Sequence, residues 1–380
     1  MEGWRVYVRD ADRVNLGQLD VWDELTLVMR NNRAGSFTLR VPGDHAQAEL
    51  LSAGVGIVAY SPHVPAAPIF SGPVRTIERA SVDGFSTADL VVSGTDDLAR
   101  LAYRLAWPKP AAALSAQTDP ADVRTGAAET VIRGLINDNA GPAALTARRI
   151  SGLVMTTDAA QGSTVDTSAR YDNLLELCSS LASVGGVTFW IQQSGAELRL
   201  SFREPVDRSL DVRFSSLMGN LSSWKYNVSA PSATRAIVGG LGDDELREMA
   251  EAAATDPETE WGERIETFVD ARDIDDPDAL VQRGNEELAT SGATAGLSIA
   301  PVDIPAMRYG VDYFIGDTVA VEIDGTRITQ PVAEVTIKIG DSGAVTTPTI
   351  GDPQVASDST ALYARVRNIA KRVGLVERRK

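Results

Sequence analysis

A chain of 380 residues, 43% hydrophobic and 23% charged, has the polarity of a soluble globular protein and enough length for two or three cores. Its net charge of −16 argues against nucleic-acid capture, because holding phosphate takes a basic surface. The single cysteine, Cys178, excludes an internal disulfide and a cysteine-based metal site.

The opening MEGWRVYVRDADR is strand-like, with Trp4, Val6 and Val8 on one face. It lacks the basic and apolar regions of a secretory signal, and no apolar run approaches the ~18 residues of a spanning helix, so a cytosolic origin with no membrane segment is expected. A second strand follows the Asn31-Asn32 turn, with Phe37, Leu39 and Val41 facing one way, and GVGIVAY and PIFSGPVRTIER continue the series. TADLVVSGTDDLARLAYRL passes from strand to helix, capped by Thr95 or Asp96 and carrying Leu98, Leu101 and Leu105.

From Trp107 a Pro- and Ala-rich linker leads to two predicted helices. The first has Val131, Leu135 and Ile136 at helical spacing. The second is expected to start from a Thr167 or Ser168 cap, bury Leu174, Leu177, Leu181 and Val184, and stop at Gly185-Gly186. A hairpin with its tip at Ser194-Gly195 then pairs Val187–Gln192 with Leu198–Phe202.

Strands resume after Pro205, are interrupted by the polar segment LGDDELREMAEAAATDPETEWGERIE, and return after a helix capped by Asp276 with Pro277 at its first position. Gly316-Asp317 reads as a tight turn at a barrel corner. From there Val319, Val321 and Ile323 alternate toward Asp324-Gly325, a dipeptide that favours a two-residue hairpin turn with Glu322 facing Arg327. The last segment, STALYARVRNIAKRVGLVERRK, carries Leu362, Val366, Ile369 and Val373 on one stripe. It also holds seven basic residues against Glu377, a local charge of +6. Leu362, Tyr363, Val366, Ile369, Val373, Arg365 and Arg372 are therefore the candidate partner interface, because an apolar stripe needs tertiary burial to hold a helix.

Candidate chemistry is sparse. His45 and His63 lie in turns outside any metal-ligand spacing, and Cys178 sits on the apolar side of a helix, the place of an inert buried thiol. VGGLGDDE lacks the third glycine of a dinucleotide loop, and DARDIDDPDAL lacks calcium-loop spacing and is explained by helix capping. With 52 acidic residues, no carboxylate pair stands out as a glycosidase dyad. No catalytic, cofactor or metal residue is predicted.

Several segments in order resemble one family. They are NNRAGSFTLRVP, FSGPVRTIER, GTDDLARLAYRL, YDNLLELCSSLASVGGVTFWI, ATRAIVGGLGDDELRE, ERIETFVDARDI, ALVQRGNEELA and YGVDYFIGDTVAVEIDG. Together they are similar to the hub-type minor tail proteins of actinobacterial siphophages, within the baseplate-hub superfamily. The resemblance implies a β-rich α+β chain with two tail-tube-like β-barrel domains, at 1–106 and 206–350, the second containing helix 276–290. It implies an α+β insert at 107–205, to which the sequence adds a basic C-terminal helix at 351–380. It further implies a non-enzymatic homotrimer at the virion tail tip, assembled in the host cytoplasm. Its partners would be the distal tail, tail-tube, tape-measure and tip or fibre proteins, with phage DNA passing through unbound. A tail-associated cell-wall hydrolase and a carbohydrate-binding adhesin are the competing readings. Neither has a matching motif or aromatic platform in the sequence.

Overall fold

The computed structural model describes residues 3–79, 89–242, 247–272, 274–301, 307–323 and 325–351. Asp324 and the whole C-terminal segment, with its seven candidate interface residues, lie outside the described residues. The described chain is β-rich with few helices, and its residues group into two compact units. Unit 1 comprises residues 1–208, 303–318 and 334–347; unit 2 comprises 209–302, 319–333 and 348–380.

In unit 1 the first seven strands are β1 (Arg5–Arg9), β2 (Asn15–Leu19), β3 (Glu24–Arg30), β4 (Arg33–Val41), β5 (Gly56–Tyr60), β6 (Phe70–Arg79) and β7 (Leu90–Thr95). They pair in the order β3-β4-β7-β6-β5-β1-β2, and residues 334–340 extend the ladder alongside β3. The alternation read from sequence is real. Val6 and Val8, then Phe37, Leu39 and Val41, are buried because each strand turns one face to the core. Asn31-Asn32 makes the β3–β4 turn, with Asn32 in the left-handed region at φ 54°.

Strand β6 changes partner along its length. Phe70–Pro73 pair with β5, whereas Val74–Arg79 pair with β7, and the register shifts between Val74 and Thr76. At that crossing the backbones approach so closely that a Cβ on Gly72 would lie 1.9 Å from the Thr95 carbonyl oxygen. Gly72→Ala should therefore destabilise the protein by about 3 kcal/mol, read as a lower urea midpoint, because rigid backbone must move to admit the methyl.

The helical part of unit 1 has a core of its own. α1 (Ala128–Asn139) and α2 (Leu174–Gly185) pack with the hairpin Thr188–Ser194/Glu197–Arg203 around Val131, Leu135, Leu174, Cys178, Leu181 and Leu200. Several expectations need correction here. Thr164–Ala169 is a strand paired with Asp122–Ala127, so α2 starts later than the Thr167/Ser168 reading, and Asn173 caps it by accepting from the Leu175 and Glu176 amides. Val184 is 72% exposed and leaves the apolar stripe. The hairpin tip is Gly195-Ala196, because Ser194 still pairs with Glu197. The segment after β7 is a short 3-10 helix, Asp97–Tyr103, capped by Asp96, so Leu105 falls beyond it and is exposed.

In unit 2, Leu221–Ser229 pairs antiparallel with Thr294–Pro301, which continues to Thr349 and Ile350. Arg213–Ser215 runs parallel to residues 320–322, and the strand ending at Ile323 is followed two residues later by the strand it pairs with, beginning at Thr326. Val319, Val321 and Ile323 are buried as expected. Glu322 does not look to Arg327 for its partner: it pairs with Arg213 on its other flank, and Arg327 donates to the Ser209 carbonyl.

The segment read as a polar interruption is structured. Arg235–Gly239 is the centre of a three-stranded sheet, antiparallel to Met249–Ala253 and parallel to Glu266–Asp270. Between the outer strands lies α3 (Thr255–Trp261), and α4 (Pro277–Thr290) covers one face through Leu280, Gly284 and Leu288. Asp276 caps α4 and Pro277 opens it, as predicted. No closed barrel is found among the described strands; what holds of the barrel expectation is the β-rich class.

Candidate functional site

Two buried carboxylates, Asp97 and Asp317, organise much of the polar interior of unit 1. The first is Asp97. Arg9, 2% exposed at the end of β1, donates to its Oδ1 at 2.6 Å, Arg100 to the same oxygen at 3.0 Å, and the Ser71 hydroxyl to Oδ2 at 2.7 Å. Arg9 also donates to Gln193 Oε1 at 2.5 Å, while the Gln193 amide donates to Ser71 Oγ at 2.9 Å. β1, β6, the 3-10 helix and the 188–203 hairpin thus meet on one buried charge. Burial alone would raise the Asp97 carboxyl; the charges of Arg9 and Arg100 and the bonds to Arg9 and Ser71 outweigh it and hold the group below the usual carboxylate range.

The neighbouring Asp96 has the opposite character. Its two oxygens accept from the Gly35 and Ala99 amides at 2.7 and 3.2 Å. It retains some accessible surface, yet its carboxyl group is deeply desolvated, which pushes it up to about 7 against the pull of those amides. A folded-state value above the unfolded one means that the folded form holds the proton longer. Asp96 therefore favours folding below pH ~4 and progressively opposes it as pH rises toward 7. Asp96→Asn should flatten the pH dependence of unfolding between pH 4 and 7, measured by urea titration.

The second carboxylate is Asp317, fully buried. Arg203 donates to Oδ1 at 2.5 Å, the Val206 amide to the same oxygen at 2.8 Å, and the Phe314 amide to Oδ2 at 3.0 Å, with Arg208 3.9 Å away. Gly316, at φ +85°, supplies the left-handed step that turns the chain into this position. Gly316-Asp317 is a tight turn, as the sequence suggests, and its carboxylate anchors the chain leaving the hairpin at Arg203.

A cavity of about 260 Å³ lies in unit 1, and its lining includes Phe70, Phe189, Trp190, Tyr309, Phe314 and Arg203. Aromatics dispersed in sequence are brought together here. Arg203 stacks over Phe314 at 4.8 Å. His45 caps a short 3-10 turn by accepting from the Gln47 amide, and His63 is exposed in another turn. Cys178 is fully buried, and desolvation pushes its thiol up. It should resist aromatic disulfide reagents in the native protein and react at once after denaturation. Asp97 and Asp317 each hold separate chain segments together.

The fold defines the class. The structure resembles the 43 kDa tail protein of prophage MuSo2 from Shewanella oneidensis at a TM-score of 0.54 and 12% identity, over 92% of this chain and 98% of that one. It resembles the tail protein from Neisseria meningitidis MC58 at 0.53 and 13%, over 94% and 99%. At these identities the likeness is one of fold, and the fold is that of phage tail proteins. The chain belongs to the Siphovirus ReqiPepy6 Gp37-like protein family, whose model matches residues 5–352. A search of curated proteins finds no match. The resemblance read from sequence is thus met in family, and in fold as far as the β-rich class.

Proposed function

We propose that this protein is a non-enzymatic tail hub: a homotrimer that ends the tail tube, carries the tip or fibre proteins and surrounds the path of genome ejection. The observation that carries this reading is the extent of the match. One siphovirus family covers residues 5–352, and two tail-protein folds are matched over 98% and 99% of their own length. On this reading residues 1–106 and 206–350 serve as tube-like modules, with 107–205 as the insert. A net charge of −16 suits a conduit that lets DNA pass without holding it. The distal tail, tube and tape-measure proteins are the partners this position would supply.

Native mass spectrometry of the purified protein should show three chains in one complex; a monomer at micromolar concentration and above would count against the ring. Zymography on cell-wall substrate should show no clearing. Activity there would favour a tail-associated hydrolase, and glycan binding by the isolated protein would favour an adhesin.

A further inference from the structure

Among the described residues, one face of the three-stranded sheet of unit 2 is left uncovered. α4 packs on the side bearing Ala236, Val238 and Ala252. The registers place Met249, Glu251, Ile237, Glu266, Phe268 and Asp270 together on the other side. Met249 and Phe268 are 54% and 56% exposed, an unusual position for large apolar side chains on a sheet this small. Arg247 stacks over Phe268 and pairs with Asp270, as does Arg272, while Arg235 pairs with Glu251 and Glu258 and Arg264 with Glu251 and Glu266. The face therefore has an apolar centre and a rim of paired, largely exposed charges, and its acidic bias comes from the surrounding segment.

Charge identifies what fits it. Residues 231–291 hold 17 acidic and 5 basic residues, a net −12 (5 − 17), which is most of the excess of the whole chain. The described chain ends at Gly351, in the same unit, and 29 residues (380 − 351) follow. Within them, residues 359–380 carry +6 and the stripe Leu362, Val366, Ile369 and Val373. The sheet face is apolar and set in an acidic segment; the C-terminal sequence has an apolar stripe interleaved with Arg365, Arg367, Lys371 and Arg372.

We propose that the C-terminal segment of this chain, residues 359–380, docks its apolar stripe on the open face of the sheet formed by Arg235–Gly239, Met249–Ala253 and Glu266–Asp270. Burial of Met249 and Phe268 supplies the non-directional part of the attraction, and the basic residues supply orientation against Glu251, Glu266 and Asp270. This surface is independent of whether the hub is trimeric.

Lysine placement makes the test direct. The chain has only five lysines, Lys109, Lys225, Lys338, Lys371 and Lys380, of which two lie in the segment. Carbodiimide cross-linking of the full-length protein, followed by peptide mass spectrometry, should join Lys371 or Lys380 to Glu251, Glu266 or Asp270. The yield should fall about fivefold or more in Met249→Glu/Phe268→Glu. The reciprocal variant Val366→Asp/Ile369→Asp leaves the sheet untouched and should lose the same links, with both variants still unfolding cooperatively in urea. Links from Lys371 confined to other carboxylates, or links to this face that survive both double substitutions, would overturn the proposal.

Discussion

Asp97→Asn is expected to lower the unfolding free energy by about 3–5 kcal/mol, because it leaves the Arg9 guanidinium buried without its counter-ion. Arg9 is 2% exposed, so its charge would be left with neutral acceptors only, the substituted amide oxygen and Gln193 Oε1. Arg9→Met should cost less, because Asp97 keeps Arg100 and the Ser71 hydroxyl. The double variant Arg9→Met/Asp97→Asn should cost less than the two singles together, since neither buried charge then remains. Urea unfolding of the four proteins closes the cycle. The pH dependence has a definite sign. The folded-state carboxyl of Asp97 is depressed, so its contribution is complete above the unfolded value near 3.9 and is lost as pH falls through the folded value. Asp97→Asn should therefore remove part of the acid limb of the stability curve and leave the alkaline limb unchanged.

Asp317→Ala is the second large effect, again about 3–5 kcal/mol. Three partners lose their acceptor at once: the Arg203 guanidinium and the amides of Val206 and Phe314. The Arg203 charge would face the ring of Phe314, which offsets only a small part of the loss. Asp317→Asn keeps one carbonyl oxygen for those amides and should fall between wild type and alanine. Because these contacts set the chain leaving the hairpin, hydrogen exchange of Val206 and Phe314 should accelerate before global unfolding does. Equal acceleration throughout unit 1 would show that the contact is not local.

Much of the β architecture is legible in sequence for a simple reason. Val6 and Val8, or Phe37, Leu39 and Val41, mark one buried face at a period of two. α4 is legible because Asp276 and Pro277 act locally. The buried charges are not. Arg9 pairs with a residue 88 positions away, and nothing local distinguishes it from a solvent-facing arginine at a strand end. Asp96 is one of the two caps read from sequence and does cap, accepting two amides, whereas nothing local marks its neighbour Asp97 as the partner of Arg9; only the tertiary position separates them. The start of α2 is misread because Thr167 and Ser168 satisfy capping rules while their backbone is claimed by the strand Asp122–Ala127. Tyr171, at φ 64°, then breaks the path before Asn173. Met249–Ala253 has poor strand propensity and becomes a strand because Arg235–Gly239 offers its edge. The aromatics of the cavity come from segments more than two hundred residues apart, from Phe70 to Phe314, so no sequence window can show them.

Cryo-electron microscopy of purified virions, with the protein's density traced, tests the proposed place at the end of a siphophage tail. Three copies in a ring at the distal end of the tail tube, around an axial channel, are expected. Virions that lack the protein, or that carry it in the capsid or along the length of the tube, would contradict it.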